Sequence, residues 1–404
     1  MGLALVGCAT PRVSKLTDEQ PKFATEEDEV ELLREADSMY LDLQEEGMVH
    51  PNEEIRAYLQ AVGDSLAPPA ATSHVKLDFV LLRDPVPNAF SLPNGRILVT
   101  LGLFNNLENE AELAFVLAHE IAHVVSRDSL TSQRKKSSNI IAAHVADLML
   151  LGTSIAYLPA LSSYASYSRE QELSADHQAV LWVSQQGYDA ERAMNGLAAV
   201  SRGLPARKKA GSGGMMASHP TDLARQDAFR KMVADDPTLK REPGRMETEK
   251  LAAFQQGLYG EHIDLLLHCG LYRFARNVAE RRIEKFPDTA DHHAWLGETW
   301  RLQAEDPVGT ALEQAGYDGV KCNRARVDQV RAETERSRDA AERAFRKALE
   351  LNPTQATAQR GLGLLLVGRG IKPQGSELLQ AYLAGNATAS DRRYIQYVLK
   401  EVTP

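Results

Sequence analysis

Apolar and acidic positions interleave at helical spacing over residues 26–66 and stop near "AVGDSLAPPAA", which predicts one or two helices. "VKLDFVLLRD" follows as a strand that ends before Pro85. In "PNAFSLPNGRILVTLGLF", Pro93, Asn94 and Gly95 form a turn, and "RILVT" is a strand by its β-branched content. A hairpin or edge strand is therefore expected just ahead of the next helix. That helix is "ELAFVLAHEIAHVVSRD", where Leu113, Val116, Leu117, Ile121 and Val124 keep helical spacing. Residues 137–161 are apolar for long enough to span a bilayer. His144, Asp147, Gly152 and Pro159 interrupt them, so a helix buried in protein or resting on lipid fits better.

Beyond residue 245 amphipathic helices take over. "AWLGETWRLQ" and "RGLGLLLVGR" each follow a Pro-marked turn, and Pro287 and Pro353, like Leu296 and Leu362, lie 66 residues apart. That offset is close to two helical hairpins of about 34 residues. "AERAFRKALELNP" resembles the second helix and closing proline of a tetratricopeptide unit, whereas "EDPVGTALEQAGYDGVKCNR" reads as an insertion or a degenerate unit. The expected organisation is a tether over 1–25, a mainly helical α+β domain with a small sheet over 26–245, and an all-α repeat domain over 246–404.

A length of 404 residues suits two or three domains, and 43% hydrophobic residues suffice for their cores. A net charge of -9 without a basic stripe argues against nucleic acid. The cysteines are Cys8, Cys269 and Cys322 with no CxxC, which excludes a cysteine-built zinc site and a disulfide framework. "MGLALVGCAT" reads like the end of a lipoprotein signal, although a basic start and a longer apolar core are missing. On that reading Cys8 carries lipid at a membrane surface and the polar segment after it is a tether.

The helix of residues 112–128 carries the chemistry. His119 and His123 are four apart and leave one helix face, with Glu120 between them. Two imidazoles on one face can take two corners of a zinc tetrahedron, and the glutamate can reach a water on the same metal. Two core histidines and a surface glutamate would make the same pattern, so a third ligand matters. In "YSREQELSADHQAV", Glu172 and Asp176 are again four apart. Glu172 would complete a site that leaves one position for water, and Asp176 would accept a bond from the outer nitrogen of a ligating imidazole.

HExxH followed some fifty residues later by ExxxD resembles the zinc metallopeptidases of the HtpX, BepA and CAAX-prenyl-protease family. "NAFSLPNGRILVTLGL" is similar to that family's segment ahead of the zinc helix, with Asn94 where a first glycine is common. "SHPTDLAR" is similar to its His-Pro segment and following arginine, here His219, Pro220 and Arg225. The repeat-like tail and secretion-like start are closest to the periplasmic BepA branch.

The resemblance implies one zinc ion per chain, held by His119, His123 and Glu172, with Glu120 as general base. It implies His219 near the metal, as a plug on the open position or as an oxyanion donor, and Arg225 as a brace. A flexible approach, "KKAGSGGMMASHP", precedes His219. Asn88, Ala89 and Phe90 would offer a strand edge to a substrate backbone. The function so implied is an endopeptidase of the Gram-negative periplasm that acts on misfolded or unassembled envelope proteins. Its repeats would recruit substrate or outer-membrane assembly machinery. The competing reading is a chaperone or assembly factor whose protease activity is secondary or vestigial.

Overall fold

The computed structural model describes residues 13–18, 27–135, 167–202, 223–236, 239 and 244–402. The chain divides into two compact units, with the division between Leu258 and Tyr259 inside one helix, Glu249–His268.

The first unit is α+β. It opens with α1 (Glu27–Glu45) and α2 (Glu53–Leu66), which account for the amphipathic stretch at residues 26–66. Asn52 starts α2 by accepting from the Ile55 amide, while Leu59 and Val62 turn its apolar stripe inward. β1 (Asp78–Leu82), β2 (Ala89–Ser91) and β3 (Arg96–Thr100) make one sheet in the order β1-β3-β2. β2 and β3 form the expected hairpin, with Phe90 opposite Leu98, and β1 runs parallel to β3. Gly95 turns the hairpin at a φ of 89°, where a β-carbon would strike the Lys76 carbonyl at 2.5 Å. β3 is thus central, β1 and β2 are the two edge strands, and the three residues of β2 are buried.

Behind the sheet lies α3 (Glu110–Ser126), hydrophobic nearly all round and buried from Glu110 to Val125. Asn109 caps its start. Its end is abrupt: Arg127 takes the left-handed conformation (φ 52°), and the chain turns into α4 (Asp128–Lys135). Two buried carboxylates tie α3 to its surroundings. Glu110 accepts from the hydroxyls of Tyr58 and Tyr188, both at 2.8 Å, and Glu112 is gripped by Arg202 at 2.9 and 3.2 Å. α5 (Arg169–Gln185) and α6 (Leu223–Asp235) complete the frame around the site, with α5 packed on α3 and α6 on α5.

The second unit is all helical among the described residues. α7 (Tyr272–Lys285) and α8 (Ala290–Glu305) flank the Pro287 turn, as α9 (Thr334–Leu351) and α10 (Ala356–Gly368) flank the Pro353 turn. Both helices after the prolines begin at the same offset as the prolines themselves, so the shared register is structural. The segment that breaks the repeat folds as a separate helix, Pro307–Asp318. Phe345 fills the centre of the second pair, with Gly297 and Gly361 bare beneath its ring.

Candidate metal centre

α3 delivers His119 and His123 one turn apart, and α5 brings Glu172 across to them. Among the described residues these three form the one group of His, Cys, Asp or Glu whose ligand atoms could converge on an ion. All three are buried. His119 Nε2 lies 3.1 Å from His123 Nε2 and 3.4 Å from Glu172 Oε2, and His123 Nε2 lies 3.6 Å from Glu172 Oε1. A tetrahedral ion with bonds of about 2.0–2.1 Å needs donor atoms roughly 3.3–3.4 Å apart. The His119–Glu172 separation matches that value and the His119–His123 separation falls just under it, while His123 faces the other oxygen of Glu172.

The outer nitrogens explain why the inner ones face each other. His119 Nδ1 is 3.0 Å from Asp176 Oδ1, and His123 Nδ1 is 2.8 Å from Asp128 Oδ2. Each carboxylate accepts from a protonated Nδ1, which leaves the lone pair of the neutral ring on Nε2. Two lone pairs 3.1 Å apart repel unless positive charge sits with them. Burial alone would push the His119 imidazole down, but bonds and charge from Asp176 and Glu172 outweigh it and hold it up to about 10. The pocket therefore favours positive charge between these groups, which a proton on His119 supplies when no metal is bound, and two imidazoles with a carboxylate are a donor set that fits zinc.

Arg225, on α6, is buried with its whole guanidinium engaged. Its Nε and one terminal nitrogen fork onto Asp176 at 2.7 and 2.6 Å, and the other is ion-paired with Glu172 Oε2 at 2.8 Å. Burial raises the Asp176 carboxyl, but the Arg225 and His119 bonds win and keep it below the ordinary carboxylate range. The brace expected of Arg225 is thus a clamp on both carboxylates of α5.

Asp128 and Tyr167 carry parts of the site that the sequence pattern did not mark. Asp128 is five residues after His123, off its helix face, and reaches the ring only because Arg127 folds the chain back. Tyr167 stacks on the His123 ring with centroids 3.9 Å apart, and its hydroxyl lies 3.2 Å from Ser129 Oγ. Gln171, beside the ligand Glu172, joins the two halves. Its amide donates to Asp128 Oδ1 (2.8 Å), while its carbonyl accepts from the Ser168 amide in a capping box that starts α5.

Glu120 is buried on α3 between the two histidines. Ala89 and Phe90 belong to the edge strand β2, and Asn88 precedes it, bonded through its backbone to Thr100. His219, Cys8 and residues 137–161 lie outside the described residues. No described helix is long and apolar enough to cross a membrane.

Residues 53–233 match the model of peptidase family M48. A mitochondrial metalloendopeptidase OMA1 of Arabidopsis thaliana is 32% identical over 123 residues, covering 30% of this chain and 25% of that protein. The OMA1 metalloendopeptidase of Schizosaccharomyces pombe is 33% identical over 134 residues, 33% of this chain and 40% of that one. A putative beta-barrel assembly-enhancing protease of Vibrio cholerae is 31% identical over 148 residues, 34% and 31% of the two chains. The chain thus spans between a quarter and two-fifths of the length of these relatives.

Proposed function

With residues 53–233 forming a domain of peptidase family M48, we propose that the chain is a zinc-dependent endopeptidase. The observation that carries this is the convergence of His119, His123 and Glu172, with Glu120 buried beside them. When bound, zinc supplies a Lewis acid that acidifies water and polarises the scissile carbonyl. The chain's own residues do the rest. Asp176 and Asp128 hold the imidazole tautomers, and Arg225 fixes Glu172 and Asp176 in place. Glu120 takes the proton of the attacking water and returns it to the leaving amine. β2, an edge strand of the sheet packed against α3, pairs with the substrate backbone as an added strand.

The substrates on this reading are misfolded or unassembled envelope proteins in a Gram-negative periplasm, recruited by the helical hairpins of the second unit as tetratricopeptide-like repeats. Lipid on Cys8 would hold the enzyme at the membrane surface. The support is the M48 domain together with relatives named as beta-barrel assembly-enhancing proteases. An assembly factor with secondary proteolysis has the same support from those names, and the two readings separate by experiment.

Glu120→Gln is expected to keep a full zinc ion and lose casein hydrolysis. His119→Ala, His123→Ala and Glu172→Ala are each expected to lose most of the metal. Full zinc in Glu172→Ala would sink the ligand assignment. Wild-type rescue of outer-membrane assembly in cells by Glu120→Gln would favour the assembly factor.

A further inference from the structure

A cleft of about 400 Å³ opens beside His123 in the first unit. That volume lies within the range of about 300–1,000 Å³ typical of ligand sites. Ser91 and Leu92, at the end of the edge strand β2, line it together with Val124 and Leu130 of the segment that carries the histidine. Half-buried Leu16, Leu33 and Val75 make its apolar wall. Its acidic groups are already committed. Glu29 accepts from Arg127 Nε at 2.9 Å, and Asp37 accepts from Arg96 at 2.5 Å and Asn94 at 2.9 Å. With its acids engaged, the cleft offers a guest its apolar wall, with exposed His74 and Lys76 also in the lining.

We propose that this cleft receives a large apolar side chain of the polypeptide substrate, close to the cleaved bond. The proposal rests on the endopeptidase reading above. A strand added along β2 continues past Ser91 into the cleft. Its side chains point alternately to opposite faces, so one face of the guest drops toward Val124 and Leu130. Leu16 is held in that wall by its amide, bonded to the Val125 carbonyl at 2.9 Å. A lysine placed against that wall loses its water while Glu29 and Asp37 are already engaged, and an acid loses its water against the leucines. The substrates selected are segments rich in leucine and phenylalanine, as unfolded or unassembled chains expose.

The test uses the full zinc-loaded chain and internally quenched peptides. Each position around the bond cut, found by mass spectrometry, is varied through Leu, Phe, Asp and Lys. At one position kcat/KM is expected to be about tenfold or more higher for Leu and Phe than for Asp and Lys. Leu33→Glu, a change in the half-buried wall away from the metal, should raise Lys relative to Leu at that position by about tenfold with zinc content unchanged. Structural damage would lower all peptides together. A second readout does not depend on turnover: fluorescence anisotropy of the Leu and Asp peptides on Glu120→Gln protein, with and without Leu33→Glu. Equal rates at every position, or the same binding preference in both proteins, overturns the proposal. Preferential binding that Leu33→Glu abolishes, without cleavage by the parent, keeps the cleft and overturns the endopeptidase reading.

Discussion

Gln171 grips Asp128 twice, its amide donating to a carboxylate oxygen at 2.8 Å and to the backbone carbonyl at 3.2 Å. Asp128 in turn holds His123, and the next residue after Gln171 is the ligand Glu172. One side-chain amide therefore sets the distance between ligands on two different helices.

Removing that bond should loosen the metal more than the fold. Asp128→Asn and Gln171→Leu are each expected to weaken zinc binding by roughly 10–100-fold. Ser168→Ala breaks the capping box and costs about 1 kcal/mol of stability, yet leaves the Gln171–Asp128 bond. Chelator competition and the visible spectrum of the cobalt-substituted protein distinguish the cases. Parental affinity in Gln171→Leu would reduce Gln171 to a helix cap.

Arg225 is predicted to be irreplaceable by lysine. Its fork on Asp176 and third bond to Glu172 need three nitrogens in one plane, which an ammonium lacks. Arg225→Ala strands two buried carboxylates, a loss of about 3–5 kcal/mol in the metal-free protein. Zinc should restore part of it, because a cation again faces Glu172. Denaturant unfolding with and without zinc measures both quantities. Parental stability and zinc affinity in Arg225→Lys would contradict the clamp.

Asp84 gives a pH signature apart from the metal. It is buried in the loop between β1 and β2, with the Val86 amide donating to it at 2.8 Å. Burial pushes its carboxyl up to about 7 against that bond. The folded state thus holds a proton that the unfolded chain releases near pH 4, so stability falls as pH rises from about 4 to about 7 and is level above. Asp84→Asn should flatten that part of the profile and raise Tm at about pH 8. A Tm–pH curve that overlays the parent's would place the titration elsewhere.

Phe345 supports the second unit. A β-carbon on Gly361 would lie 2.2 Å from its ring and one on Gly297 2.5 Å. Phe345→Ala is expected to cost about 3–5 kcal/mol through the cavity left, and Gly361→Ala to destabilise by forcing the ring aside. Urea unfolding followed by circular dichroism reads both, and a neutral Gly361→Ala would mean that the helices slide apart freely.

The hairpin, the long helix and the residues that meet at the metal were legible because each depends on local spacing. His119 and His123 need only a helical period, and Glu172 and Asp176 another. Asp128 was illegible because its reach depends on Arg127 leaving the helix in a left-handed turn, which arginine rarely adopts. Tyr167 and Gln171 depend on how α4 and α5 meet, a tertiary fact with no periodic trace. The Arg225 clamp was legible only as an arginine near the site; that it holds Glu172 and Asp176 needs α6 in place. The parallel pairing of β1 with β3 was likewise invisible, since the pattern of each strand is the same in either direction.

The bonds of Gln171 to Asp128 and of Arg225 to Asp176 and Glu172 also set an order of events during synthesis. When α3 leaves the ribosome, the chain carries two imidazoles and a base but neither Glu172 nor the arginine that fixes it. At about 5–20 residues per second, the remaining pieces emerge on the order of 5–20 s later. A chain made only as far as α3 carries two of the three grouped side chains. The order of these segments along the chain means that the three grouped side chains and the arginine that clamps Glu172 are all present only once the sequence through α6 has been made.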